Sequence, residues 1–231
     1  MGVAMGVGGL SALSFGPLRS ALTPWAVDPA LSGISEHHHV ALTYDDGPDR
    51  GSTPDFLDLL DRLGVQATFF VLGRHLGDRG LLREMAEAGH EIGIHGWDHR
   101  PVALRLPSGL RDDLARTRDL VQDTTGTRVE WYRPPYGLMT AASRRAAHAA
   151  CLRTVLWSAS GRDWERAANA ASVAAKVSDQ LRPGGTVLLH DSDRTSAAGS
   201  WRATLQATED LVPRWQEAGL AVGPLAEHWP T

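Results

Sequence analysis

The segment VALTYDDGPD, residues 40–49, decides the fold of this chain. It opens as a mostly apolar run and stops at the acidic pair Asp45 and Asp46, just before a Gly-Pro turn. A short apolar run that ends in turn residues predicts a buried β-strand, here over 40–46, whose carboxyl end carries charge. Between residues 53 and 63, apolar positions recur three and four apart, which predicts a helix. The segment therefore predicts a strand–helix unit with acidic groups at the end of its strand.

The same alternation of strand and helix continues to the end of the chain. Strands are predicted at 40–46, 67–73, 91–95, 129–133, 153–159, 185–191 and 221–225. Helices are predicted at 53–63, 81–89, 110–123, 141–150, 167–182 and 202–218. Strands that are each separated by one helix pair in parallel, so the pattern predicts an α/β fold with about seven parallel strands. It leaves open whether the sheet closes into a barrel or stays doubly wound.

Composition limits the chemistry that the chain can perform. Its 231 residues include 23 basic and 27 acidic side chains, a net charge of -4, so nothing favours binding to nucleic acid. The single cysteine, Cys151, excludes an internal disulfide and a thiolate zinc site. Any metal site must therefore use carboxylates and some of the 10 histidines.

The first 38 residues differ in character from the rest. Residues 1–16 are apolar and glycine-rich, but they lack the basic start of a secretory signal and are short for a membrane span. Three consecutive histidines at 37–39 follow several prolines and are predicted to lie in a solvated loop. We therefore expect an N-terminal arm over 1–38 and one domain over 39–231, with no stable membrane span. A cytoplasmic location is slightly favoured, and a secreted or surface-attached one stays open.

Chemically active side chains gather where the predicted strands end. In chain order these are Asp45-Asp46, His95 with His99, Arg133, Asp163-Trp164, and His190-Asp191. The carboxyl ends of parallel strands meet at one edge of the sheet, where active sites of such folds form. Two imidazoles and one carboxylate are a common ligand set for a divalent ion. Each motif also has a plainer interpretation: a turn at the acidic pair, a chance His-x-x-x-His, a core histidine at His190, and a loop histidine at His90.

Taken in this order, five motifs resemble those of the polysaccharide deacetylase family, also called the NodB-homology domain or carbohydrate esterase family 4. The motifs are TYDDGP (43–48), His95 with His99, RPPYG (133–137), Trp157 with Asp163-Trp164, and LLH (188–190). The resemblance implies an irregular (β/α) barrel and one divalent metal, Zn²⁺ first, with Co²⁺ or Ni²⁺ as alternatives. It also implies hydrolytic removal of acyl groups, mostly acetyl groups from N-acetylated sugars.

The resemblance also assigns roles to individual residues. Asp46, His95 and His99 would bind the metal, Asp45 would be the general base, and His190 the general acid. Arg133 would pair with Asp45, and Asp163 would tune the acid. Substrate would be bound by Tyr136, whose backbone N–H would hold the oxyanion, and by Pro134, Trp164 and Leu188.

Two positions depart from the family pattern: Gly96 stands where Ser or Thr is usual, and Ser160 stands where Asp is frequent. Three functions follow as alternatives. The first is an N-deacetylase acting on an acetylated carbohydrate or a small acylated substrate, and the second is an O-acetyl esterase or other amide hydrolase on the same fold. The third is a carbohydrate-binding relative without activity, which the intact Asp45 and His190 disfavour. We expect a monomer.

Overall fold

The computed structural model describes residues 29–229, so the predicted leader at 1–16 and most of the predicted arm lie outside the described residues. The described residues form eight strands: His39–Asp45 (β1), Thr68–Leu72 (β2), Glu91–Gly96 (β3), Trp131–Tyr132 (β4), Arg153–Thr154 (β5), Ala159–Ser160 (β6), Thr186–His190 (β7) and Ala221–Gly223 (β8). The α-helices are Thr53–Leu63 (α1), Arg79–Glu87 (α2), Pro107–Thr125 (α3), Ala141–Ala149 (α4), Ala170–Gln180 (α5), Trp201–Glu217 (α6) and Leu225–His228 (α7). Within residues 29–229, no helix is long and apolar enough to cross a bilayer.

All strands pair in parallel in one sheet, in the order β5-β4-β3-β2-β1-β7-β6. The two ends of this order, β5 and β6, are joined by residues 155–158 alone, so the sheet must curl back toward itself. The eighth strand, β8, pairs with the amino-terminal part of β1, His39–Ala41, whereas β2 pairs with β1 from Thr43 onward. The predicted irregular (β/α) barrel is confirmed.

The predicted strand at 153–159 was wrong, because the chain forms two short strands there. Residues Arg153 and Thr154 pair with β4, whereas Ala159 and Ser160 pair with β7 on the other side of the barrel. Between them the backbone of Trp157 packs so closely on Gly33 that a Cβ there would lie 2.6 Å from the Trp157 carbonyl carbon. The apolar pattern could not show that the chain changes strand partners, and the segment is only partly buried, since Arg153 is exposed whereas Val155 and Ala159 are buried.

Two histidines assigned to loops are buried. His37 and His38 are exposed as predicted, but His39 is the first residue of β1 and is 5% exposed, because it pairs with β8. His90 does lie on the turn between α2 and β3, yet it is 6% exposed. Its Nδ1 accepts a hydrogen bond from the backbone N–H of Ala67 at 3.2 Å, which holds the turn against the residue that precedes β2.

Alternation along β1 separates the core from the site. Val40, Leu42 and Tyr44 face the helices and belong to the large apolar core. Ala41 belongs instead to a small cluster in the barrel interior, with Phe70, Trp131, Val155 and Leu225. Because side chains alternate along a strand, Thr43 and Asp45 point to that same interior. The sequence pattern thus places a carboxylate inside the barrel mouth.

Candidate metal centre and active site

Three side chains at the barrel mouth form a group that could hold a metal ion. Asp46 follows β1, His95 lies in β3, and His99 lies in the loop after it. The Asp46 Oδ1 atom is 3.5 Å from Nε2 of His95 and 3.5 Å from Nε2 of His99. One ligand atom from each residue lies within 4.8 Å of the others. The structure therefore brings together the three residues predicted to bind a metal.

The polar groups of this cluster fit a divalent cation. Asp46 is 0% exposed, and its Oδ1 has no hydrogen-bond partner among the described residues. A buried carboxylate oxygen without a partner is costly, and a cation shared with two imidazoles would satisfy it. The φ angle of Asp46 is 80°, in the left-handed region, which directs the chain away from the strand at this point. This donor set, one carboxylate and two imidazoles, suits Zn²⁺, Co²⁺ or Ni²⁺.

Both imidazoles are held in the neutral form that a metal requires. The backbone carbonyl of Arg133 lies 2.8 Å from Nδ1 of His95, so that nitrogen donates and Nε2 keeps its lone pair toward Asp46. Burial lowers the pKa of His95 to about 3. Burial also lowers the pKa of His99, whose ring meets Tyr136 edge-on with centroids 4.5 Å apart.

Asp45 lies beside the centre, held by a buried arginine. Arg133 is 0% exposed, and its Nη1 donates to Asp45 Oδ1 at 2.9 Å and to Thr43 Oγ1 at 2.7 Å. Its Nη2 donates to the carbonyl of Leu156 at 3.2 Å, and its guanidinium lies 4.2 Å from the Phe70 ring centre. Burial raises the pKa of Asp45, while Arg133 opposes that rise. The predicted pairing of the two side chains is present.

His190 approaches the centre from the other side. Its Nδ1 lies 2.9 Å from Asp163 Oδ1, its backbone N–H donates to Asp163 Oδ2 at 2.8 Å, and Nε2 lies 3.8 Å from Asp46 Oδ2. Burial lowers the pKa of His190, but Asp163, together with Asp46 and Asp45, outweighs it and raises the pKa to about 10. Asp163 thus favours the protonated form of the imidazole that faces the centre. The predicted contact of Asp163 with His190 is present.

The four predicted substrate residues lie at different depths. Tyr136 is 49% exposed at the rim, has a φ of 61°, and donates its hydroxyl to the carbonyl of His99 at 3.3 Å. Trp164 meets the His190 ring edge-on, with centroids 5.4 Å apart. Leu188 is buried and pairs with Thr43 of β1, the inward-facing residue that precedes Asp45 by two positions. Pro134 is also buried. Tyr136 and Trp164 thus flank the centre, with Leu188 beneath it.

Three contacts were not predicted from the sequence. Thr195, in the loop after β7, donates its hydroxyl to Oδ2 of Asp46. Thr204, in α6, donates to Asp163 Oδ2 at 2.7 Å. Asp191 is buried and accepts a hydrogen bond from Thr53 Oγ1 at 2.5 Å. Asp191 had a signal, since it directly follows His190 at a strand end, but isolated threonines carry no pattern.

Burial raises the pKa of Asp191 to about 7. Its carboxylate lies against Gly47, where any side chain would collide with it.

The departure from the family pattern at Gly96 has a structural reason. Gly96 has a φ of 122°, a conformation in which Ser or Thr would be strained. Ser160 is 6% exposed, and its Oγ accepts the backbone N–H of Arg162 at 3.3 Å.

The comparisons with known proteins agree with this geometry. The sequence pattern of the family described as "Polysaccharide deacetylase" matches residues 33–155. The chain is 36% identical over 171 residues to the peptidoglycan-N-acetylglucosamine deacetylase PgdA of Listeria monocytogenes serotype 1/2a, covering 74% of this chain. It spans only 36% of the length of that relative.

Two further relatives match nearly end to end. A chitooligosaccharide deacetylase of Bradyrhizobium sp. (strain ANU 289) is 31% identical over 211 residues, covering 88% of this chain and 96% of that one. The solved structure of a family 4 acetyl xylan esterase from Clostridium thermocellum, in complex with a cobalt ion, is 32% identical with a TM-score of 0.75, covering 82% of this chain and 89% of that one. The family's sequence pattern, these relatives and the strand-end cluster all agree: the chain belongs to the polysaccharide deacetylase family.

Proposed function

We propose that this chain is a metal-dependent hydrolase that removes the N-acetyl group from an acetylated saccharide or amino sugar. One observation carries the proposal. A carboxylate with an arginine partner (Asp45) and an imidazole with a carboxylate partner (His190) flank the group formed by Asp46, His95 and His99. Arg133 favours the ionised form of Asp45, whereas Asp163 favours the protonated form of His190, so the two groups suit the roles of base and acid. The deacetylases of Listeria and Bradyrhizobium act on N-acetylated sugars by their names, which supports this substrate class.

The residues that would hold the metal are Asp46, His95 and His99. We propose Zn²⁺, with Co²⁺ or Ni²⁺ as functional substitutes; the cobalt ion in the Clostridium esterase supports the class of ion. When bound, such an ion acts as a Lewis acid and can lower the pKa of a coordinated water to about 7. Thr195, which donates to Asp46, would fix the orientation of that carboxylate.

Asp45 and His190 would move the protons. Asp45 would accept a proton from the attacking water, and Arg133 holds its carboxylate in place for this. His190 would donate a proton to the departing amine nitrogen, because Asp163 stabilises its protonated form. Without that proton the leaving group would be an amide anion, which is far too basic to leave.

The substrate would enter between Tyr136 and Trp164. The Tyr136 backbone N–H is proposed to stabilise the negative charge on the acetyl oxygen, supported by its position at the rim beside His99. Trp164 and Leu188 would form the apolar slot for the methyl group, and buried Pro134 would stiffen the Tyr136 loop. We propose that the chain acts as a monomer, which light scattering after size exclusion would test.

The decisive experiment is an acetate-release assay with Zn²⁺-loaded protein. Chitooligosaccharides, peptidoglycan, small N-acetyl amino sugars and acetylxylan are compared at equal acetyl concentration. We expect release from at least one N-acetylated sugar and its loss after chelation. Release from acetylxylan alone would favour the O-acetyl esterase, an alternative that the 32% identity to the Clostridium esterase supports. No release from any substrate by metal-loaded protein would contradict the proposal.

A further inference from the structure

The two imidazoles of the Asp46 centre are supported in different ways. Nδ1 of His95 is held by the carbonyl of Arg133, whereas in the described part of the chain no hydrogen bond reaches the ring of His99. An imidazole that binds a metal usually has a partner on its second nitrogen, which fixes the ring. The position of the His99 ring is therefore set by the loop that carries it, residues 97–106 between β3 and α3.

The end of this loop has an inverted pattern of burial. Leu104 and Leu106 are 82% and 78% exposed, whereas the Arg105 side chain between them is 19% exposed. In most proteins leucine is buried and arginine is exposed. The backbone at Arg105 and Leu106 is extended, so neighbouring side chains point to opposite sides and an inward arginine turns both leucines outward. The segment is therefore oriented by the contacts of its arginine rather than by hydrophobic burial.

Arg105 links the loop to α3 through two carboxylates. Its Nη1 donates to Asp98 Oδ1 at 2.7 Å, and its Nη2 pairs with Oδ2 of Asp113 in α3. The Asp98 and Asp113 side chains are 15% and 20% exposed, so salt screens these pairs less than it screens pairs on the open surface. A guanidinium presents its donors in a rigid fork, which suits it to join two carboxylates. Because Asp98 directly precedes His99, the link fixes the backbone next to a predicted metal ligand.

A second contact fastens the same loop to the same helix. Arg116 lies three residues after Asp113 in α3, and its guanidinium carbon is 3.7 Å from the centre of the Trp97 ring. The ring also lies against Gly73, where a Cβ would be 2.6 Å from its Cε3 atom. Residues three apart on a helix share a face. One face of α3 therefore holds both Trp97 and Asp98.

We propose that Arg105 is a positioning residue for metal binding, which holds His99 beside Asp46 by tying Asp98 to Asp113. The proposal rests on the proposed function, because it concerns the metal that the Asp46 centre would bind. α3 is a firm support for the link, since its apolar face is buried in the large core. A hydrogen bond to the ring thus supports one imidazole of the centre, and an ion-paired loop supports the other.

The test compares two arginines that contact the same carboxylate. In the full chain, Arg105→Gln should weaken Zn²⁺ binding about 10–100-fold, measured by competition with a chelator of known affinity. Arg100→Gln is the matched control. Arg100 Nε lies 3.3 Å from Asp98 Oδ2, but its side chain is 76% exposed, so this variant should keep the wild-type affinity. Wild-type affinity in Arg105→Gln would overturn the proposal.

A spectroscopic measurement separates positioning from a general loosening of the fold. The visible absorption of bound Co²⁺ depends on the geometry of its ligands. At saturating Co²⁺, the spectrum of Arg105→Gln should differ from that of the wild type, and the spectrum of Arg100→Gln should match it. A weakened affinity with an unchanged spectrum would give Arg105 a merely structural role and overturn the proposal.

Asp113→Ala removes the anchor of the link in α3 and serves as the second variant should Arg105→Gln not fold. It should weaken Zn²⁺ binding by a similar factor. The double variant should bind no more weakly than Arg105→Gln alone, because both changes break one link, and additive losses would contradict the proposal. A wild-type chain that binds no Zn²⁺ would overturn both the proposed function and this proposal, whereas unchanged affinity in the variants would overturn this one alone.

Discussion

The side chains around Asp46 owe their positions to different kinds of support. His95 is fixed by a backbone carbonyl, Asp45 by a buried guanidinium, and His190 by a second carboxylate. Each supporting group sits on a different strand end or loop from the residue it supports. Substitution of a supporting group should therefore change one property of the site without removing the others.

The base and the metal ligands should separate in a simple pair of variants. Asp45→Asn leaves Asp46, His95 and His99 in place, so we expect normal metal content and a loss of turnover of about 10²–10⁴-fold. His95→Ala should lose both metal and activity, because one of three ligands is gone. Metal analysis and acetate release measure the two effects. Full turnover in Asp45→Asn would place the base elsewhere.

Asp163→Asn tests the support of the proposed acid. The amide cannot stabilise protonated His190 as the carboxylate does, so its pKa should fall and turnover should drop by about 10²–10⁴-fold. Metal content should stay unchanged, since Asp163 is bonded to His190 and Thr204 rather than to the Asp46 cluster. The alkaline limb of the pH–rate profile should move to lower pH. An unchanged profile would contradict a positioning role.

Thr195→Val tests the one contact to Asp46 that was not predicted. Loss of the hydroxyl leaves Oδ2 of Asp46 without its donor, so we expect metal affinity to weaken about 10–100-fold. Thr195→Ser keeps the hydroxyl and should retain wild-type affinity, which separates hydrogen bonding from packing. Competition with a chelator of known affinity is the measurement. Equal metal affinity in the Thr195→Val and Thr195→Ser variants would show that the Thr195 hydroxyl does not support metal binding.

At the scale of elements, the order of strands and helices followed from hydrophobic periodicity, and α1 occupies the predicted residues 53–63. Periodicity succeeds there because one face packs on the sheet and because Gly64 ends the helix with a φ of 65°. It fails at 153–159, where the chain changes partner strands between Thr154 and Ala159. Hydrophobic periodicity depends on consecutive residues, whereas the pairing of a strand depends on other strands that are far away in the chain.

Two glycines, one directly after α1 and one inside α3, should respond oppositely to substitution by alanine. Gly64→Ala forces a Cβ into the left-handed region with no other contact, and should lower the free energy of unfolding by about 1 kcal/mol. Gly109→Ala lies inside α3 with open space around it, and should raise that free energy by about 0.5–1 kcal/mol. Urea unfolding measures both. Equal effects of the two variants would contradict the conformational explanation.

At the scale of the whole molecule, β1 links the two ends of the barrel. Its carboxyl end carries Asp45 and leads into the Asp46 centre, and its amino end carries His39, whose Nδ1 lies at hydrogen-bond distance, 3.0 Å, from Nδ1 of His228. Between these ends the strand is buried throughout. The Asp46 centre and the buried His39–His228 pair are therefore separated by the length of one strand.

Buried neutral histidines should make the fold sensitive to acid. Burial lowers the pKa of His90 to about 4, from about 6.5 in the unfolded chain. Between these values the unfolded chain binds more protons, so stability is complete above pH 6.5 and declines as pH falls toward 4, by about 3 kcal/mol from this residue. In metal-free protein, His90→Gln should flatten that decline in urea unfolding. Parallel pH curves for the two proteins would contradict this.

The sequence by itself determined the strand–helix order, the parallel sheet, and the five motifs whose residues meet at one rim. The physical reason is that hydrophobic periodicity and the ends of strands can be recognised from consecutive residues. Only the tertiary structure decided that Thr195 and Thr204 support the centre, that the chain changes strand partners after Thr154, and that His39 meets His228. These contacts join residues far apart in the chain. Their positions follow from how the sheet curls, which no local pattern encodes.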